Sequence, residues 1–165
     1  MDKENTLTQA ESDVQNLIQK MHEYLDSHGL KSNSYNVVVE KYLQLTPDQL
    51  GKMGPEELGE ASYLLTQYSE YLQREINQQQ GIMEWAEKYI DSLVISQISQ
   101  YGDGFVKYEY KRACAVKENP LAKDLSKISA KAQNHLTALK DLPYKIEKRA
   151  DRLAALQATK RKRYD

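Results

Sequence analysis

The sequence predicts an all-α protein: an elongated helical hairpin or bundle with a small N-terminal helical region, oligomerising through its helices. Three observations carry this. Seven Gly and four Pro in 165 residues are few for a chain of strands and turns, whereas the helix formers Ala, Leu, Glu, Lys and Gln abound. Apolar residues recur at spacings of three and four along most of the chain, which is the period of an amphipathic helix. The one segment that reads as a strand has no visible partner strand.

The first helical pattern runs from about Thr8 to Ser27, with Val14, Leu17, Ile18, Met21 and Leu25 on one face. "SHGLKSNSYN" (27–36) reads as a loop in which Gly29 is a left-handed helix stop. "VVVEKYLQL" (37–45) fits either a buried strand or a short helix, and the short helix is preferred. "TPDQL" (46–50) carries a helix start, with Thr46 as cap, Pro47 in the first turn and Gln49 three residues after the cap. Gly51, Gly54 and Pro55 then punctuate the chain, so residues 1–53 are expected to form the N-terminal region and 54–165 a long helical hairpin with a basic C-terminal half.

From Pro55 a long helix is expected, opened by Glu56 and Glu57, whose carboxylates suit the positive end of the helix dipole. Leu58, Ala61, Leu65, Tyr68 and Leu72 repeat at 3-4-3-4, and the stripe continues through Ile76, Met83, Ala86, Ile90 and Leu93 to about Ile98. Roughly 43 residues at 1.5 Å each would reach about 65 Å, the length of a hairpin arm or coiled-coil stem. Asn77, Gln78, Gln79, Gln80 and Gly81 suggest a bend or a polar layer within it. "QYGDG" (100–104) reads as the hairpin tip. Beyond it, helical spacing resumes at Tyr108, with Pro120 and Pro143 each opening a new helix and Leu121, Leu125, Ile128, Ala132, Leu136, Leu139, Ile146, Ala150, Leu153 and Leu156 forming the apolar stripes.

The chain is strongly asymmetric in charge. Residues 1–104 hold 7 Lys/Arg against 17 Asp/Glu, a net of −10, while residues 105–165 hold 16 against 7, a net of +9. The formal total of −1 is therefore a cancellation. A segment this basic attracts polyanions such as nucleic acid, anionic lipid or acidic protein. It also favours an antiparallel hairpin in which the basic return pairs with the acidic helix, each exposed pair contributing roughly 0.2–1 kcal/mol.

Signatures of catalysis are sparse. His22, His28 and His135 are scattered and form no H-x-x-x-H pair, so no metal site is expected, and no cofactor either. A lone Cys114 excludes an intramolecular disulfide or multi-thiolate zinc site and suits a reducing cytoplasm, with a buried inert thiol its default role. There is no phosphate-binding glycine loop and no G-x-S-x-G. The expectation is a protein that is not an enzyme. No apolar run approaches a membrane span, and the polar start "MDKENTLTQAESD" is unlike a secretory signal, so a cytoplasmic protein with no membrane partner is expected.

Binding remains. "FVKYEYKR" (105–112) interleaves Phe105, Tyr108 and Tyr110 with Lys107, Lys111 and Arg112, the mixture of stacking faces and phosphate partners used on single-stranded nucleic acid. Tyrosines at helical spacing also serve as seam residues, and this chain has 12. Lys160, Arg161, Lys162 and Arg163 close the chain as a basic cluster able to touch any polyanion. Lys123, Lys127 and Lys131 form a ridge at a spacing of four, which a solvated helix face explains equally well. The candidate nucleic-acid contacts are Lys88, Lys107, Tyr108, Tyr110, Lys111, Arg112, Lys117, Lys160, Arg161, Lys162 and Arg163.

The stretch from about Leu58 to Arg161 resembles the UvsY-like phage recombination mediators. The resemblance lies in "ASYLLTQYSEYLQREINQQ", the aromatic-glycine break "YGDG", "YEYKRACAVKENPLAKDL" and "IEKRADRLAALQ". It implies a non-enzymatic helical homo-oligomer that binds single-stranded DNA and helps a RecA-like recombinase displace the single-strand-binding protein, in the cytoplasm of the host cell. One departure stands out: the family pattern has a basic motif just before the break, where this chain offers only Lys88 in "EKYIDSLVISQ". DNA contacts would then shift to Lys107, Lys111, Arg112 and the tail. The alternative reading is a helical scaffold or adaptor of a phage or cellular assembly, its basic half meeting acidic protein.

Overall fold

The computed structural model describes residues 2–30, 39–102 and 104–162, with side chains described from residue 12 onward except Val14. Among the described residues the chain is all-α, with no strand. Helix α1 spans Asp2–Ser27 and stops at Gly29, whose φ of +63° is the left-handed conformation expected there. The short helix α2 (Glu40–Leu43) settles the described part of the ambiguous valine segment as helix; Val37 and Val38 lie outside the described residues. Helix α3 (Pro47–Lys52) starts on a capping box in which Thr46 Oγ1 accepts from the Gln49 amide and Gln49 Oε1 accepts from the Thr46 amide at 2.8 Å. Helices α4 (Pro55–Val94), α5 (Tyr108–Glu118), α6 (Pro120–Leu139) and α7 (Leu142–Arg161) follow, with a single 3-10 turn at Ile98–Gln100.

The chain divides into two compact units, each assembled from separate stretches. The first comprises Met1–Lys31 and Asn77–Thr137. Its core joins Leu17, Met21 and Leu25 of α1 to Trp85, Ala86, Ile90 and Val94 of α4, Ala115 of α5 and Ala122 and Leu125 of α6. Burial of a large aliphatic side chain such as Leu25, Ile90 or Leu125 contributes about 1.5–3 kcal/mol, so this stripe-on-stripe contact is the main stabilising term. Gly81 lets α1 approach, because a Cβ there would lie 2.6 Å from Leu30 Cδ1 and 3.2 Å from Leu25 Cδ2.

The second unit comprises Ser32–Ile76 and Ala138–Asp165. Val39 and Tyr42 pack with Leu58, Ala61, Leu65 and Leu72 of α4 and Ile146, Ala150 and Leu153 of α7. Here α4 and α7 run antiparallel: Ser62 Oγ donates to the Ala150 carbonyl and Ser69 Oγ to that of Pro143, both at 2.9 Å, so rising numbers on one helix meet falling numbers on the other.

Several expectations are corrected. The compact units do not divide at residues 51–55. The N-terminal elements are shared between them instead, since the apolar stripe of α1 is buried in a core with α4, α5 and α6, and Val39 and Tyr42 in another with α4 and α7. Helix α4 is continuous through the amides at 77–80 and Gly81, where Gly81 is a site of close packing, and the boundary between the two units falls at Ile76 and Asn77. The helix ends at Val94, not near Ile98. Opposite charges contribute less to pairing than expected: among the described residues, the ion pairs that join the acidic and basic halves both belong to Arg112.

Candidate nucleic-acid interface

The segment between α4 and α5 is pinned to α5 at two points. Tyr101 donates its hydroxyl proton to Glu118 Oε2 at 2.6 Å, and Lys111 Nζ donates to the Gly102 carbonyl at 2.8 Å. Gly102 has φ +105°, a conformation that L side chains rarely adopt, so the chain turns there at the one residue free of that penalty. The turn leaves Phe105 wholly in solvent, and Tyr108 (54%) and Tyr110 (64%) more than half exposed. Lys107, the residue that precedes α5, is exposed beside them. On α5 the solvent face carries Tyr110, Ala113 and Lys117, opposite the buried Ala115.

The predicted contact residues fall into two groups of different availability. Lys88, Lys107, Lys117, Arg161 and Lys162 are exposed, and their side chains have no hydrogen-bond or ion-pair partner among the described residues. Three others are engaged within the molecule. Lys111 holds the Gly102 carbonyl. Arg112, with its side chain only 27% exposed, bonds Glu87 Oε2 at 2.7 Å and Asp91 Oδ1 at 2.6 Å. Burial lowers the pKa of its guanidinium, but hydrogen bonds to Asp91 and then Glu87 outweigh that and leave it raised. Glu87 in turn accepts from Ser129 Oγ at 2.6 Å, so one carboxylate ties α5 and α6 to α4.

Lys160 is the third, and it corrects the view of the tail as a free basic cluster. Its ammonium donates to the carbonyls of Leu50, Gly51 and Met53 at 3.0, 2.8 and 2.6 Å. These oxygens lie at the C-terminal end of α3, where helix carbonyls lack intrahelical partners and carry partial negative charge. Arg149 does the same one segment earlier, donating to Tyr42 O and Leu45 O at 2.9 and 3.2 Å. Much of the excess positive charge of α7 therefore meets backbone rather than carboxylate. Arg163 lies outside the described residues. Lys88 through Lys117 belong to the first unit and Lys160–Lys162 to the second.

Two features escaped the motif reading. Ile95, at 69% exposure, follows the last residue of α4 and adds an apolar side chain to the exposed set. Tyr63 (62%) and Tyr144 (64%) are exposed on the second unit, where an open groove of about 320 Å³ is lined by Thr66, Ser69, Glu70, Gln73, Pro143, Tyr144 and Glu147. That groove holds carboxylates without a nucleophile–base pair. Among the described residues no three His, Cys, Asp or Glu side chains cluster to hold a metal ion, and Cys114 is a half-buried free thiol. Among the described residues no helix is long and apolar enough to cross a membrane. No family model, curated protein or solved structure matches the chain.

Proposed function

We propose that this chain is a non-catalytic single-stranded DNA-binding protein whose contact surface is the aromatic and basic start of α5. The observation that carries the reading is the interleaving of exposed rings and unpaired cations: Phe105, Tyr108 and Tyr110 with Lys107 and Lys117. Phe105, wholly in water, forgoes roughly 1.5–3 kcal/mol of burial. A base stacked on it would contribute about 1–3 kcal/mol, while the lysines neutralise phosphates. Its resemblance to UvsY-like mediators gives the biological setting: a homo-oligomer that presents the strand to a RecA-like recombinase as single-strand-binding protein leaves. Weak single contacts would then multiply through several linked copies.

The test is fluorescence anisotropy with a dye-labelled oligo-dT strand at moderate salt. Micromolar or tighter binding, reduced at least tenfold in the Tyr108→Ala/Tyr110→Ala variant, is expected; no binding by the native protein overturns the reading. A helical scaffold or adaptor is the second reading, favoured by the exposure of Ile95 and Phe105, which can pack on a partner protein but cannot neutralise a phosphate. It predicts assembly in solution with no response to oligo-dT.

A further inference from the structure

The surface just described ends at Lys117, yet the positive charge continues. Helix α6 buries Ala122, Leu125, Ser129 and Ala132. Lys123, Lys127 and Lys131 are exposed, and at 100° per residue they centre directly opposite that buried stripe. Beside them stand Ser126, Ala130 and, one turn on, Asn134, residues too short to keep a ligand at a distance. Asp124 is the one carboxylate of α6, and it accepts from Lys127 Nζ at 2.6 Å as an exposed pair three residues apart. Such a pair is weak and screened by salt, so Lys127 can exchange it for a phosphate.

We infer that this lysine ridge tracks the phosphate backbone of an extended single strand, so that the strand bound at the start of α5 continues along α6. The inference rests on the proposed single-strand binding and deepens it. The spacing carries it: four residues of helix rise about 6 Å and turn about 40°, so the three lysines form one ridge that winds gently along α6. One strand of a stacked duplex rises about 3.4 Å along its axis per phosphate while winding around that axis, so only a short stretch of it can follow one helix ridge. An unstacked strand, its bases splayed onto aromatic rings, is drawn out and can follow one. The ridge therefore adds about three phosphates and favours the extended strand over the duplex.

The test compares the full-length native protein with Lys123→Gln/Lys127→Gln/Lys131→Gln and with Asp124→Asn. Glutamine keeps helix propensity close to that of lysine, and circular dichroism checks the fold. For oligo-dT, the triple variant should lower the slope of log affinity against log salt by about 2, from about 0.7 per contact and three contacts. Asp124→Asn, which frees Lys127, should tighten binding at low salt. An unchanged slope in the triple variant, while Tyr108→Ala/Tyr110→Ala still loses affinity, overturns the ridge and leaves the proposed function standing. An equal loss of slope on duplex DNA overturns the extended-strand assignment. Absence of oligo-dT binding by the native protein removes both.

Discussion

The guanidinium of Arg112 binds the carboxylate of Glu87 at 2.7 Å, and the other oxygen of that carboxylate accepts from Ser129. A residue that reads from the sequence as a phosphate contact thus acts as a clamp among three helices of the first unit. Arg112→Gln should cost about 1–2 kcal/mol, a figure held down because the Glu87 side chain is 44% exposed and partly screened. Urea unfolding followed by the fluorescence of Trp85, which lies in the same core, measures it. The salt dependence of DNA binding should be unchanged; a slope reduced by one contact would place Arg112 on the strand.

Lys160 and its neighbour Lys162 should behave differently. Lys160→Met removes the ammonium from three carbonyls and should destabilise the second unit by about 1–2 kcal/mol. Faster amide exchange across α3 would accompany it. Lys162→Gln, at an exposed position, should stay within about 0.5 kcal/mol of the native protein. Equal effects would show that the carbonyl contacts contribute nothing.

Two helical glycines make opposite predictions. At Gly59 a Cβ would meet the side-chain amide of Gln157, the far end of a half-buried and flexible side chain that can swing away. Gly59→Ala should therefore stabilise by about 0.5–1 kcal/mol through helix propensity. At Gly81 the Cβ would press on Leu30 and on Leu25, which is 2% exposed in the core. There the overpacking outweighs the propensity gain, and Gly81→Ala should lose about 1 kcal/mol. Thermal melts of the two variants decide the signs.

Tyr101 supplies a pH signature. Its hydrogen bond to Glu118, then burial, raise the phenol to about 12 from an ordinary 10. The folded state holds this proton more tightly than the unfolded chain does. The stability it contributes is complete below about pH 10 and disappears as pH rises through about 12. Ultraviolet titration of phenolate should show Tyr101 ionising late, near pH 12, beside a smaller upward displacement of Tyr71, which burial raises. Glu118→Gln should bring that step back towards 10, and a titration indifferent to Glu118 would rule the bond out.

Local patterns made a large part of this architecture legible. The capping box at Thr46 and Gln49, the left-handed stop at Gly29, and the prolines opening α3, α4 and α6 are contests between neighbouring residues, and each is settled within one turn of chain. The stripes Leu58–Leu72 and Leu125–Ala132 follow from a period of 3.6. The site was legible only in part. Composition pointed to the 105–112 segment, but the presentation of Phe105 also depends on the turn at Gly102, which Tyr101 and Lys111 pin to α5.

Left to itself, the sequence determined that the chain is helical, where most helices begin, and that its two halves carry opposite charge. Those properties are sums over local preferences. Tertiary structure decided which stripe meets which, drawing α1 into one core and Val39 and Tyr42 into another, and it decided which cations remain free. The reason is physical: a guanidinium or ammonium takes the acceptor that folding places within about 3 Å. For Arg112, Arg149 and Lys160 those acceptors lie between 21 and 110 residues away along the chain.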